Sequence, residues 1–329
     1  MKKLNIGIIA CSNVAVKRFI PALLKSQCAN LYIVGSRDVA KAHKTANHFN
    51  CDKYGTYNDV FINANVDVVY ISTPITLREE LTLSAIKNNK HVICEKPAFI
   101  SFETASKLVA LCKQNKVRIL DGWSFKFHKQ HEIVKKYIES GIIGDVIFFS
   151  GQFMYPHPKK GDIRLNPELG GGVFFDAAGY PVVAAQMFIT NSPVSVFCTR
   201  NFDDDYSVDN FVIIQIQYEK NINAIAIAGF DLQYNSTYSI TGTKGRISVK
   251  RAYAVEEKME TTINIETNDG IEEIAVSPQN QFLLMIDEFC SQIKGNRLLE
   301  NNLDKDMLDH HFIMDAALKS SIEKKPVFL

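Results

Sequence analysis

The sequence predicts an α/β protein of two domains, a doubly wound parallel sheet followed by an α+β domain with an antiparallel sheet. The first 120 residues alternate short apolar runs with helical patterns, as parallel sheets with crossover helices do. After residue 122 the chain changes to long β-type runs separated by turn residues. The length of 329 residues exceeds one typical domain and suits two.

The N-terminal alternation defines a predicted dinucleotide-binding domain at residues 1–122. Because each strand is followed by a helix, right-handed crossovers and parallel pairing are expected. Ser101 is the candidate first residue of the last helix. The predicted strands are 4–10, 31–35, 66–72, 91–94 and 117–120, and the helices are about 13–26, 38–49, 56–63, 77–88 and 101–115.

The remaining residues, 123–329, form the second predicted domain. A helix at 129–140 ends at Gly141, and helical patterns return at 279–294 and 304–323. Asn268-Asp269-Gly270 between two β-type runs indicates a hairpin. The predicted strands are 145–153, 194–201, 209–218, 222–230, 236–241, 245–249, 261–267 and 271–275.

Composition excludes several functional classes. The net charge is +1 and no basic run occurs, so neither nucleic acid nor an anionic membrane is expected as a partner. No stretch reaches the roughly 18–20 apolar residues of a membrane span, and no signal peptide is visible. Seven scattered cysteines without a CxxC pair indicate reduced thiols and a cytoplasmic location. His310-His311 lacks further ligand residues at metal-site spacing, so no metal is expected.

The turn after the first strand is the candidate phosphate-binding loop. Aligned on the strand end, Ala10, Ser12 and Ala15 occupy the positions of a G-x-G-x-x-G/A fingerprint, and only Ala15 fits. One interpretation is a modified phosphate loop in which the Ser12 hydroxyl bonds a phosphate oxygen. The other, equally favoured by this loop alone, is a domain that binds no dinucleotide. The predicted cofactor-binding residues here are Ala10, Cys11, Ser12, Asn13 and Val14.

The second strand is followed by Ser36, Arg37 and Asp38, where the ribose of the cofactor is read. Because an arginine accommodates a 2′-phosphate, Ser36 and Arg37 favour NADP(H) over NAD(H). Asp38 leaves NAD(H) open, since it either binds a 2′-hydroxyl or caps the next helix.

Two further segments carry candidate chemistry. Lys96 lies at the carboxyl end of the strand 91–94, where open α/β sheets bind ligands, and Pro97 restricts the backbone after it. Asp176 and Tyr180 follow a run of three glycines and are spaced i, i+4, which places them on one helix face. A tyrosine near an ammonium group can act as a general acid.

Together these motifs resemble the Gfo/Idh/MocA family of oxidoreductases. The resemblance rests on Val68–Ser72 followed by Thr73-Pro74, on Glu95-Lys96-Pro97, on Gly170–Tyr180 and on Gly242–Gly245. It implies an N-terminal Rossmann domain and a C-terminal domain with a large, mostly antiparallel open sheet. It also implies a homodimer or homotetramer formed through that sheet, and cofactor contacts from Thr73, Pro74, Glu95 and Lys96.

Within the family, Asp121–His128 and Ile163–Glu168 resemble one branch. That branch contains dihydrodiol dehydrogenases, xylose dehydrogenases and NDP-hexose 3-ketoreductases, and it carries a tyrosine where Tyr180 stands. The chain departs from the family at Ala10 and Ser12. It also departs at four positions expected to line the substrate cleft, which are Ile75, Arg78, Asp121 and Lys126.

The resemblance implies hydride transfer between NADP(H) and a carbonyl or hydroxyl carbon of a sugar or nucleotide-linked keto sugar. Lys96 would bond the carbonyl oxygen, Tyr180 would supply the proton, and Asp176 would position the substrate or Lys96. Lys126, His128 and Arg164 are additional substrate-binding candidates. One alternative is a dehydrogenase of a free aldose, cyclitol or trans-diol. Another is a non-catalytic, dinucleotide-sensing regulatory protein.

Overall fold

The computed structural model describes residues 2–295 and 303–329, and the chain forms two compact units. The first unit contains Met1–Ser124 and Phe282–His311, and the second contains Phe125–Gln281 and Phe312–Leu329. The first unit thus takes in a segment from near the end of the chain, beyond the predicted division at residue 122. The roles given to the two predicted domains stay predictions.

The first unit contains six parallel strands in the order β3-β2-β1-β4-β5-β6. In this order β1 lies between β2 and β4, which is the doubly wound arrangement predicted from the sequence. Strand β3 was not predicted because two residues carry no periodic signal. The strands are β1 Leu4–Ile9, β2 Ala29–Gly35, β3 Tyr54–Gly55, β4 Val68–Ile71, β5 His91–Cys94 and β6 Ile119–Asp121.

Helices cover this sheet and begin at capping residues that the sequence supplies. Ser101 accepts from the Thr104 amide and starts the helix Phe102–Gln114, as predicted. Asp38 caps the helix Val39–His48, and Thr56 and Asp59 form a capping box at the helix Tyr57–Ile62. The first helix opens with a π-helical turn, Ala15–Phe19. The helices are α1 Ile20–Leu23, α2 Val39–His48, α3 Tyr57–Ile62, α4 Arg78–Lys87 and α5 Phe102–Gln114.

The second unit contains a sheet of nine strands in the order β14-β13-β12-β11-β7-β10-β9-β8-β15, in which only β7 and β10 pair in parallel. The predicted hairpin is confirmed, since Thr267 pairs with Gly270. The strands are β7 Val146–Tyr155, β8 Pro193–Phe202, β9 Asp209–Tyr218, β10 Asn223–Phe230, β11 Asn235–Gly242, β12 Gly245–Lys250, β13 Thr261–Thr267, β14 Gly270–Val276 and β15 Val327–Phe328.

The two faces of this sheet differ in burial. On one face, Phe149, Ala226, Ile214 and Cys198 are buried in neighbouring strands, and the helix α7 (Gly179–Phe188) packs over the centre. The other face alternates partly exposed residues with them, as one-sided antiparallel sheets do. The later helices are α6 Lys129–Glu139, α7 Gly179–Phe188, α8 Gln281–Gly295 and α9 Leu303–Glu323.

Within residues 2–295 and 303–329, no helix is both long and apolar enough to cross a membrane.

Candidate active site

Ala10 keeps the turn of a phosphate-binding loop without the glycine. Its φ is 78°, in the left-handed region that favours glycine, and its amide donates to Gly35 O at 3.1 Å. An alanine in this conformation is less stable by about 1 kcal/mol than in its preferred region. The chain therefore retains the turn of the fingerprint even though its residue is replaced.

Ser12 has a structural role in the same loop. Its hydroxyl donates to Ser72 Oγ at 2.8 Å and accepts from the Ala15 amide at 3.1 Å, so it starts the helix and ties it to the end of β4. This hydroxyl proton is therefore committed within the protein. The amides of Cys11, Ser12 and Asn13 have no acceptor among the described residues, and they lie at the start of a helix, where anions bind.

Two charged residues follow β2: Asp38 caps the next helix, and Arg37 is an exposed cation. Asp38 accepts from the amides of Ala40 and Lys41 at 2.9 and 3.3 Å, so the capping interpretation of Asp38 is confirmed. Arg37 is exposed and lies near the Tyr57 hydroxyl; burial raises the pKa of Tyr57, and the Arg37 charge partly opposes that rise. Arg37 is therefore an exposed cation at this strand end, while the exposed Asp38 carboxylate accepts the helix-cap bonds.

A buried arginine joins the ends of β4 and β5. The Arg78 side chain is only 8% exposed, and its Nε donates to Thr73 O at 2.9 Å. Its Nη1 donates to Glu95 O at 2.6 Å and to Pro97 O at 2.5 Å. One guanidinium therefore holds the backbone on both sides of Lys96. The expectation that Arg78 lines the substrate cleft is wrong, because its donors point at these carbonyls.

Glu95 points inward and fixes the same loop. Its carboxylate accepts from the Tyr70 hydroxyl at 2.6 Å and from the Lys96 amide at 3.2 Å, and Phe19 stacks on Tyr70 with centroids 3.5 Å apart. Lys96 itself is partly buried, with Nζ 6.0 Å from the centre of the Trp123 ring.

A glycine and a threonine hydroxyl are the remaining notable groups at this end of the sheet. A Cβ on Gly122 would lie 2.8 Å from Cys94 O, so β6 approaches the Lys96 loop as closely as it does only because residue 122 is glycine. Thr73 Oγ1, next to Pro74, is buried and has no hydrogen-bond partner in the described part of the chain. A bound cofactor could satisfy such an orphaned hydroxyl.

In the second unit, two of the three glycines allow close backbone packing. Gly171 and Gly172 donate to the carbonyls of Asn166 and Arg164 at 2.9 and 2.8 Å. Gly172 has a φ of 98°, and a Cβ there would lie 2.4 Å from Asp209 Oδ1. The other Asp209 oxygen accepts from the Phe174 amide at 2.5 Å, which starts the helix bearing Asp176.

Asp176 is the centre of an ionic cluster. Its Oδ2 accepts from the Tyr155 hydroxyl at 2.7 Å and from Arg164 Nε at 2.8 Å. Arg164 also pairs with Asp162 at 3.1 Å, and the Asp176 charge raises the pKa of the guanidinium. Burial raises the pKa of Tyr155, and the Asp176 charge adds to the rise. Arg164, predicted to bind substrate, is thus already paired with two carboxylates.

Tyr180 faces an aromatic surface. Its ring lies 4.8 Å from Phe153 in an edge-to-face contact and 5.6 Å from both Phe125 and Tyr253. Phe153 and Tyr155 are two residues apart on β7 and therefore share a face. Asp176 contacts Tyr155 and Tyr180 contacts Phe153, so the prediction that Asp176 and Tyr180 share one helix face is confirmed.

The remaining predicted substrate residues differ in accessibility. Lys126 is partly buried in a 3₁₀ turn. His128 is buried; its Nδ1 accepts from the Gln130 amide at 3.3 Å and caps α6, and burial lowers its pKa. Burial also lowers the pKa of His131, to about 3, while it contacts the Tyr238 hydroxyl at 2.9 Å. Both histidines therefore support the second unit as neutral rings.

In the histidine pair near the C-terminus, His311 has a structural role. His311 Nε2 accepts from the Phe99 amide at 3.2 Å, and its Nδ1 contacts Met307 O at 2.8 Å. In the chain as described, no group of three or more His, Cys, Asp or Glu side chains is placed to hold a metal ion.

Sequence reasoning missed the structural roles of three residues that organise the site, namely Arg78, Tyr70 and Tyr155. Tyr155 carried a usable signal, since it lies two residues beyond Phe153 in a period-2 strand. Arg78 and Tyr70 carried none, because nothing in their neighbouring residues shows that their polar groups turn inward.

Comparison with known proteins identifies the family. One profile, described as an oxidoreductase family with an NAD-binding Rossmann fold, matches residues 4–122, and one for the GFO/IDH/MocA C-terminal domain matches residues 131–248. The chain belongs to the Gfo/Idh/MocA family. It is an NAD(P)-binding oxidoreductase, which confirms the fold class and the enzymatic interpretation drawn from the sequence.

Curated relatives cover almost the whole chain. A dTDP-3,4-didehydro-2,6-dideoxy-alpha-D-glucose 3-reductase of Saccharopolyspora spinosa is 27% identical over 98% of this chain and 97% of its own. A D-xylose 1-dehydrogenase (NADP(+)) of Haloferax volcanii is 25% identical over 88% of each chain. A trans-1,2-dihydrobenzene-1,2-diol dehydrogenase of Xenopus laevis is 26% identical over 66% of each.

Solved structures share the fold. A 3-ketoreductase of Actinomadura kijaniata in complex with NADP and TDP-benzene superposes with a TM-score of 0.92 at 24% identity, covering 97% of this chain and 98% of its own. An aldose-aldose oxidoreductase of Caulobacter crescentus gives a TM-score of 0.89 at 22% identity over the full length of both chains.

Replacing Arg78 should reduce activity more than an equally buried arginine elsewhere in the unit. Arg78→Gln leaves the carbonyls of Thr73, Glu95 and Pro97 without their shared donor, so we expect kcat to fall at least tenfold and the free energy of unfolding to fall by about 1–3 kcal/mol. Arg118→Gln is the control, since Arg118 is also buried. Steady-state kinetics with urea unfolding checks this, and equal kcat values in the two variants would contradict it.

Proposed function

We propose that the protein uses NADPH to reduce a ketone on a nucleotide-linked sugar. The observation that carries this proposal is the arrangement of Asp176 and Tyr180 against β7, together with the rigid placement of Lys96 at the carboxyl end of β5. Similarity over nearly the full chain to a dTDP-keto-sugar 3-reductase supports the substrate class. The 3-ketoreductase of Actinomadura kijaniata has also been solved as variants in which a tyrosine or a lysine is replaced.

The chain's own residues supply the proton chemistry. When bound, NADPH supplies a hydride to the carbonyl carbon. Lys96 donates a hydrogen bond to the carbonyl oxygen, and its positive charge stabilises the negative charge that develops there. Tyr180 transfers its phenolic proton to that oxygen, so the product is an alcohol. Asp176 positions Tyr155 and Arg164 rather than moving a proton, because both already donate to its Oδ2.

The residues of the first unit fit a dinucleotide. The amides of Cys11, Ser12 and Asn13 bind the diphosphate at the helix start. Thr73 Oγ1, which is buried and has no hydrogen-bond partner among the described residues, forms a hydrogen bond with the cofactor. Ser36 and Arg37 bind the 2′-phosphate of NADP(H). Seven free thiols suit such an enzyme to the reducing cytoplasm.

Removing either proposed catalytic group should lower kcat by about 10²–10⁴-fold. We expect this of Lys96→Met and of Tyr180→Phe, with the Kd of NADPH changed less than threefold for Tyr180→Phe. Tyr137→Phe, a tyrosine on α6, is the matched control. Single-turnover oxidation of NADPH followed at 340 nm measures the step. A near-wild-type rate in either variant would contradict the catalytic role proposed for that residue.

Cofactor preference tests the role of Arg37. Arg37→Ala removes the exposed cation at the end of β2, so we expect the Kd of NADPH to rise about tenfold or more while that of NADH stays within twofold. Lys44→Ala, an exposed lysine on α2, controls for the general loss of positive charge. Fluorescence titration with both cofactors decides this. An equal rise for the two cofactors would show that Arg37 does not read the 2′-phosphate.

A second candidate function is oxidation of a free aldose. It is favoured by the similarity to a xylose dehydrogenase. It is also favoured by the pairing of Arg164 with two carboxylates, because the cluster then has no net positive charge to attract a phosphate. Comparing kcat/KM for dTDP-linked and free sugars in both directions separates the two functions.

We also propose that the open face of the nine-stranded sheet forms a homodimer or homotetramer contact. Its centre carries Phe148, Ile213, Ile225 and Phe197, all partly exposed, among Ser, Thr and Gln side chains. Charged residues are depleted from the cores of protein interfaces, and none lies on this face of β7, β10 or β9 from Phe211 to Gln217.

A charge placed on this face should separate the subunits. Ile225→Lys puts an ammonium group in the proposed contact, so we expect a lower mass in solution with circular dichroism unchanged. Ile62→Lys, at an exposed isoleucine of α3, is the matched control. Multi-angle light scattering measures the mass; a monomeric wild type, or an Ile225→Lys variant of unchanged mass, would refute the contact.

A further inference from the structure

An arginine and a tyrosine form a shelf at the edge of the aromatic surface that contacts Tyr180. The Arg251 guanidinium lies over the Tyr234 ring at 4.6 Å from its centre. Tyr234 contacts Phe153 edge to face at 6.4 Å, and Phe153 contacts Tyr180 at 4.8 Å. Two ring contacts thus connect the shelf, Arg251 with Tyr234, to the proposed acid.

The backbone under the shelf is held in place. Arg251 has a φ of 57°, a conformation that non-glycine residues seldom adopt without support. The buried Gln130 Nε2 donates to Ala252 O at 3.2 Å and to Arg251 O at 3.4 Å. The Ala252 amide donates to Ser236 O at 2.8 Å. These bonds hold the backbone at Arg251 and Ala252, so the guanidinium extends from a hydrogen-bonded turn.

The charge of this arginine is available, unlike that of Arg164. Arg164 pairs with Asp162 and Asp176, whereas no carboxylate in residues 2–295 or 303–329 forms an ion pair with Arg251, which is exposed. A stacked guanidinium keeps its N–H edges free, and these match the oxygens of a phosphate in pairs.

We propose that Arg251, supported by Tyr234, binds the diphosphate of a nucleotide-linked substrate while its sugar lies on the aromatic surface near Tyr180. This inference rests on the proposed function and deepens it, because it assigns the recognition of the nucleotide part to residues separate from the proton donor. A free sugar has no group for the shelf, so Arg251 is a specificity residue that separates the two candidate substrate classes.

Binding of dTDP to the NADP⁺-saturated protein tests the proposal, since saturation closes the cofactor site to the probe. By calorimetry we expect Arg251→Gln to weaken dTDP at least tenfold, which is the size of a lost charge-assisted bond. We expect Arg251→Lys and Tyr234→Leu to give intermediate losses. Lys250→Gln removes the same charge one residue earlier and should change the Kd less than twofold. Pyrophosphate should compete with dTDP, and thymidine should not.

Two results would overturn the shelf. One is an equal Kd for Arg251→Gln and Lys250→Gln, and the other is a wild-type protein that does not bind dTDP. If NADPH-dependent reduction of a free keto sugar persists in either case, the shelf fails and the hydride transfer stands. If no carbonyl compound is reduced while dTDP binding depends on Arg251, the proposed reaction fails and the nucleotide site stands.

Discussion

The guanidinium of Arg78 is the constraint on which the loops at the carboxyl ends of β4 and β5 depend. Two loops leave neighbouring parallel strands there, and their carbonyls would repel one another without a donor between them. Arg78 supplies one donor to Thr73 and another to Glu95 and Pro97. The carboxylate of Glu95 turns inward to Tyr70, so these bonds fix the backbone on both sides of the next residue, Lys96.

In the second unit, the carboxylate of Asp176 links two segments of the chain. Asp176 joins the end of β7, through Tyr155, to the loop that carries Arg164. The glycines before it allow that loop to fold back within hydrogen-bonding distance of its own carbonyls. Tyr180 lies one helical turn after Asp176, so the bonds that hold Asp176 also help to position Tyr180. In the first unit a buried cation thus holds backbone carbonyls, and in the second unit a half-buried carboxylate holds two side chains.

The phosphate loop shows how much of a motif is conformation and how much is residue type. Ala10 accepts a left-handed backbone at a modest energetic penalty, and Ser12 replaces the second glycine with a hydroxyl that caps the helix. The loop therefore keeps its turn and its outward amides. What changes is the room available to the backbone beside a diphosphate, which the two missing glycines would have provided.

The sequence by itself determined the fold class, the hairpin at Asn268–Gly270, the helix start at Ser101 and the segments that bear Lys96, Asp176 and Tyr180. These features arise from local periodicity and from turn chemistry, which a linear reading contains. Only the tertiary structure decided that Arg78 is buried and that Arg164 is paired with two carboxylates. It also decided that the Ser12 hydroxyl serves its own helix. The direction of a long polar side chain depends on which carbonyls and carboxylates the fold brings within about 3 Å of it, and those partners lie far away in the sequence.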